Sequence, residues 1–205
     1  KHVPLDGTDA VIDFHHLGKN KDKLDQIDVI LATTTKNKIS DHAKILKDTG
    51  FKPGTFDADS LAIANVYQYN YDLPEEGTDV IINIGNSSST LVVWGEKSIF
   101  FTREISISGD SITKEIMRTH KLNYKEADNK KIKEGINVFN NINNTSDESA
   151  GIAIEQRTIF NDLVEEIRKT LRFYMKNNNN SFFNTFYISG GSSLLPGIDK
   201  FIADN

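Results

Sequence analysis

The sequence has no cysteine and only one tryptophan among its 205 residues. Without Cys there are no disulfides, thiolate metal sites or Cys nucleophiles, a composition that suits a reducing cytoplasm. Positive charge is in deficit as well: 24 Lys and Arg stand against 29 Asp and Glu, a net charge of −5. The two signs are mixed, with no basic stripe to track a phosphate backbone, so nucleic acid is not an expected partner. No apolar run approaches the roughly 20 residues that cross a bilayer, and no charged-then-apolar leader opens the chain. An initiating Met is missing too, so the chain is expected to be a piece of a longer protein. What it does have is length, enough for one large domain or two smaller lobes.

Short alternating runs at 10–17 and 28–33 predict two strands joined by a charged turn. A helix is predicted over 38–49, with Ile39, Ala43, Ile45 and Leu46 on one side and Gly50 closing it. A short strand over 51–56 and a helix over 60–71, capped by Asp59 or Ser60, follow. Residues 1–56 therefore read as a small α/β subdomain and 57–76 as a returning helix and linker. From 77 the texture changes. The near-continuous apolar run at 79–85, the polar turn Asn86-Ser87-Ser88-Ser89 and the return at 90–94 predict buried antiparallel strands. Gly95–Ser98 turns again into a strand over 99–107. Helices are predicted at 110–120, capped by Asp110 or Ser111, and at 124–134, with an Asn123–Glu126 capping box. The Asn-rich stretch 137–151 reads as a mobile loop. A long helix over 154–176, a strand over 185–189 and a short helix over 196–203 complete the chain.

Two stretches carry chemistry. Asn83-Ile84-Gly85-Asn86-Ser87-Ser88-Ser89-Thr90 lies between two strands. Converging backbone N–H groups and small hydroxyls in such a turn can hold phosphate, although an ordinary Ser-rich hairpin has the same composition. Ile188-Ser189-Gly190-Gly191-Ser192-Ser193-Leu194-Leu195-Pro196-Gly197 follows a strand with bare backbone, against which a flat ligand such as a nucleoside can lie. It is not a P-loop, because no Gly-Lys-Ser/Thr follows. The adjacent His15 and His16 face opposite sides of a strand and cannot share a metal.

Taken in order, Ile82–Leu91, Phe101–Asp110, Glu165–Tyr174 and Ile188–Pro196 resemble the nucleotide fold of actin, Hsp70 and the sugar kinases. They are most similar to the PilM family of type IV pilus proteins, with FtsA next. The resemblance implies an actin-like (ribonuclease H-like) α/β lobe at 77–205 with a small inserted subdomain, the N-terminal lobe lying outside this chain. It implies ATP and Mg²⁺ as ligands. Gly85, Asn86, Ser87, Ser88 and Ser89 would form the second phosphate loop and Gly190, Gly191 and Ser192 the adenosine motif, with Gly109 also among the nucleotide-binding residues. Glu165, Arg168 and Lys169 would surround adenine and ribose, their spacing fitting equally a solvated ion-pair face. Asp59 would face the phosphates and metal, or simply cap its helix.

One departure concerns chemistry: where the family carries an Asp in the second phosphate loop, this chain has Asn83. An amide is a weaker ligand than a carboxylate for a hard cation or its bound water, which puts hydrolysis in doubt more than binding. The implied function is a cytoplasmic nucleotide-binding scaffold of a pilus machine. It would receive the N-terminal peptide of a PilN-like inner-membrane protein, reach the membrane only through that partner, and be compatible with homo-oligomers. An active ATPase or small-molecule kinase of the same fold, and an FtsA-like filament protein, are the alternatives.

Overall fold

Alternating sequence gives an antiparallel hairpin at the start: β1 (Ala10–Lys19) pairs with β2 (Ile27–Thr35), placing Phe14 opposite Leu31 and Ile12 opposite Thr33. The computed structural model describes residues 9–20, 25–145, 157–178 and 182–205, and its backbone forms two compact units, Lys1–Tyr69 and Asn70–Asn205. In the first unit, α1 (Lys36–Asp48) starts directly after β2. The Thr35 hydroxyl accepts the Lys38 N–H at 3.3 Å, which satisfies one free donor of the first turn. The strand expected over 51–56 does not form. Pro53 has no N–H to give a ladder, and Gly54 beside it weakens an extended run. Next comes α2 (Asp59–Asn70). Neither Asp59 nor Ser60 precedes it as a cap, since the Ala58 carbonyl already accepts from Leu61 and Ala62. Asp59 sits in the first turn, where a carboxylate complements the helix dipole.

The second unit is a four-stranded sheet in the order β5-β4-β3-β6. The run expected to be buried is β3 (Thr78–Ile84), antiparallel to β4 (Ser89–Trp94), which pairs in turn with β5 (Phe101–Ile105). On one face, Val80, Ile82, Ile84, Leu91, Val93 and Ile105 enter a single core. The helical layer over that core begins with α3 (Gly109–His120), whose cap is Ser108 rather than Asp110 or Ser111. The Asn123–Glu126 capping box forms as predicted on α4 (Tyr124–Glu134), with reciprocal bonds of 3.0 and 3.1 Å.

The mobile loop expected from 137 is ordered 3₁₀ helix over Gly135–Thr145, because Val138 and Phe139 bury themselves in the core. Residues 146–151 of that stretch, like 154–156 at the expected start of the long helix, lie outside the described residues. That helix, α5 (Ile159–Asn177), buries Phe160, Leu163, Ile167, Leu171 and Tyr174 at helical spacing. It leads to β6 (Phe183–Ser189), parallel to β3. The chain closes with a 3₁₀ turn, Gly191–Leu194, and α6 (Ile198–Asp204). This last helix starts two residues after Pro196 because Gly197, at φ +80°, takes a left-handed conformation at its cap.

Candidate functional site

Parallel pairing of β3 with β6 sets Asn83 beside Ser189, so both strands release their loops at the same end of the sheet. The first loop is tight. The Gly85 N–H donates to the Ser88 carbonyl at 3.2 Å, and a Cβ on Gly85 would lie 2.7 Å from that oxygen. Asn86 and Ser87 are exposed and Ser88 half-buried. Ser89 is different: it is fully buried and its hydroxyl donates to the Ile107 carbonyl at 2.6 Å, so it ties the start of β4 to the segment that follows β5.

The second loop comes up against the first. Gly190 has φ +87° and ψ 164°, and a Cβ there would sit 2.6 Å from both Asn83 Oδ1 and the Ile84 carbonyl oxygen. The Ser193 N–H and hydroxyl both donate to the Gly190 carbonyl, at 3.1 and 2.8 Å, which fixes the turn. Gly191 is exposed, and a Cβ there would meet nothing within 4 Å.

The start of α3 joins the two loops. The Gly109 N–H donates to the Gly85 carbonyl and the Asp110 N–H to the Asn86 carbonyl, each at 2.9 Å. A Cβ on Gly109 would lie 2.5 Å from Ser192 Oγ. Asn83, Gly85, Asn86, Gly109, Gly190 and Ser192 are therefore one cluster, assembled within the second unit alone. Exposed bare backbone at Gly191 next to an exposed Asn86–Ser87 tip suits a ligand with one flat end and one anionic end.

The remaining predicted residues stand elsewhere. Glu165 pairs with Arg172 at 2.8 Å, two turns along α5, not with Arg168 or Lys169. Lys169 pairs with Glu166 at 2.8 Å, and Arg103 of the edge strand β5 approaches the same carboxylate at 3.5 Å. The Lys169 hydrogen bond and the nearby cations hold the Glu166 carboxyl below its ordinary range. Arg168 is exposed. Asp59 belongs to the first unit.

Sequence reasoning missed a buried charged group under the cluster. Lys131 of α4 is 7% exposed, and its ammonium reaches Asp128, Thr113 and the Gly109 carbonyl. The only sequence signal is the Asp128–Lys131 spacing of three, common on solvated helices. Nearby, the Asp110 carboxyl lies below its usual range, chiefly through its hydrogen bond to Lys114, with Tyr124 and the charge of Lys131 adding to it. Among the described residues, no group of three or more His, Cys, Asp or Glu side chains could hold a metal ion. Nor is any described helix long and apolar enough to cross a membrane.

Comparison with known proteins gives one family and one fold. A family model described as type IV pilus assembly protein PilM matches residues 1–205. A chain of a PilM-PilN type IV pilus biogenesis complex superposes with a TM-score of 0.77 at 21% identity, over 98% of this chain and 55% of that one. The ethanolamine utilization protein EutJ from Carboxydothermus hydrogenoformans gives 0.51 at 16% identity, covering 78% and 51%. MreB 5 of Spiroplasma citri, solved bound to AMPPNP, gives 0.53 at 15%, covering 83% and 58%. The fold is actin-like, and this chain spans about half the length of each of these solved chains.

Proposed function

This chain belongs to the PilM family of type IV pilus assembly proteins, and we propose that it serves there as a nucleotide-binding scaffold coupled to an inner-membrane partner. The observation that carries the nucleotide reading is the convergence of two thin loops, Gly85–Ser88 and Gly190–Ser192, on Gly109 at one end of the sheet. The nucleoside of ATP would lie on the exposed backbone at Gly191 beside Ser192. Its phosphates would meet the Asn86–Ser88 tip, where N–H groups and hydroxyls are the donors. Bound Mg²⁺ would neutralise phosphate charge, and Asn83 would orient a water of its shell. An actin-like neighbour solved with AMPPNP supports this choice of ligand.

The partner reading has a different support, the likeness to a chain of a PilM-PilN complex. The partner we propose on that support is a PilN-like protein; that it sits in the inner membrane and presents a short N-terminal peptide is part of the proposal. The scaffold would stay on the cytoplasmic side and reach the membrane through that partner.

Asn83 separates a scaffold from an engine. An amide orients a metal-bound water but does not neutralise charge, so the wild-type protein should bind ATP with slow or no turnover. A charge-assisted bond gained in the transition state alone is worth roughly 1.5–3 kcal/mol, or about one to two decades in rate. Single-turnover hydrolysis with and without Mg²⁺ measures this. Asn83→Asp in the full-length protein is expected to gain Mg²⁺-dependent turnover with ATP affinity changed less than rate. Brisk Mg²⁺-dependent hydrolysis by the wild type would reject the scaffold reading and favour an ATPase.

A further inference from the structure

Helix α4 buries Lys131 and leaves its neighbour Ile132 59% exposed, the reverse of what hydrophobicity alone would select. An ammonium taken out of water is costly unless every proton finds an acceptor. Here all three do: Asp128 Oδ1 at 2.7 Å, Thr113 Oγ1 at 2.8 Å and the Gly109 carbonyl at 3.2 Å. A plain helix–helix contact could be made by an apolar side chain at no such cost.

The Gly109 carbonyl indicates what the charge is for. It belongs to the same planar peptide group as the Asp110 N–H, and in a trans peptide the two point in opposite directions. That N–H donates to the Asn86 carbonyl at 2.9 Å, while the Gly109 N–H holds Gly85 at the same distance. One peptide plane therefore has a buried cation on its oxygen and the phosphate turn on its nitrogen. A cation on the carbonyl polarises the peptide and strengthens the bond its N–H donates.

We infer that Lys131 is a positioning residue for the bound nucleotide, holding the Gly85–Asn86 turn in its receptive form through the Gly109–Asp110 peptide. The inference rests on the nucleotide reading above, acts through backbone, and needs no contact between Lys131 and the ligand. Thr113, which also donates to the Gly109 carbonyl at 3.0 Å, and Asp128 complete the support.

The test uses Lys131→Met, which keeps the length and removes the charge, and the double variant Asp128→Asn/Lys131→Met, which leaves no unpaired carboxylate. Two quantities are read in the full-length protein: ATP affinity by titration, and amide hydrogen exchange at Gly109 and Asp110 without nucleotide. Lys131→Met should weaken ATP binding about tenfold, the loss of one hydrogen bond to a charged group. It should speed exchange at Asp110 while the Ile82 and Leu91 amides of the β3–β4 ladder keep their protection. The double variant should recover thermal stability but neither affinity nor Asp110 protection, and it carries the test should the single variant fail to fold. Wild-type protection at Asp110 in either variant, or recovery of affinity in the double variant, would overturn the inference. If the wild type binds no ATP, the nucleotide reading fails, and the positioning of the turn still stands or falls on the exchange at Asp110.

Discussion

Gly191→Val is expected to weaken ATP binding about a hundredfold or more while the thermal melt stays within a few degrees of wild type. Gly191 is exposed at the start of a 3₁₀ turn, and a Cβ there would find open space, so a side chain can be added without collision. Valine costs only a fraction of a kcal/mol in a helical turn, through the stiffness of its branched χ1. Its two methyls would fill the space above the backbone on which the nucleoside is proposed to lie. Losing that face should weaken binding by about a hundredfold or more, in line with overpacking penalties of about 1–3 kcal/mol and the lost contact together. Titration and a melting curve on the same sample check both halves. Unchanged affinity in a folded variant would remove the adenosine assignment.

One residue earlier the expectation is reversed. Gly190→Ala should lower stability by ~3 kcal/mol and lose ATP binding only as a consequence of unfolding the loop. At φ +87° and ψ 164° the backbone lies in a region essentially reserved for glycine, where any other residue is strained by about 1–3 kcal/mol. Overlap adds to the strain, because the new methyl would sit 2.6 Å from the Ile84 carbonyl oxygen, a backbone atom that cannot rotate away. Denaturant unfolding measures the loss. A fully stable Gly190→Ala protein would mean that the end of β6 does not approach β3 as described. On this proposal adjacent glycines serve different ends, one permitting the fold and the other keeping a binding surface bare.

That division was not legible in the sequence, which shows only Gly190-Gly191. What was legible had a local cause. Val80 to Ile84 and Leu91 to Val93 read as strands because side chains on both faces are apolar, and in the structure most of them are buried. The capping box at Asn123 and Glu126 was equally readable, since both partners lie within one turn. Reading failed where a distant part of the chain decides the outcome. Val138 and Phe139 looked isolated among asparagines, yet the core they join turns the stretch into 3₁₀ helix; Phe139 packs on Phe160, well beyond any sequence window. Lys131 sits in a Lys-rich helix that reads as solvated, and its partner carbonyl is 22 residues away. Glu165 found Arg172 in place of its nearer cations, because i+7 also returns to the same face of a helix. Of the candidate site, the two loops and Gly109 were legible as motifs; their convergence, the structural use of Ser89 and the support beneath Gly109 came from tertiary packing.

If the two loops on Gly109 hold a nucleotide as proposed, calorimetric titration of Mg²⁺–ATP into the full-length protein will detect it. Saturable binding at one site per chain is expected, weakened about a hundredfold or more in Gly191→Val and about tenfold in Lys131→Met. Absence of any heat of binding by a folded wild-type protein would contradict the nucleotide reading and leave the actin-like fold serving protein partners alone.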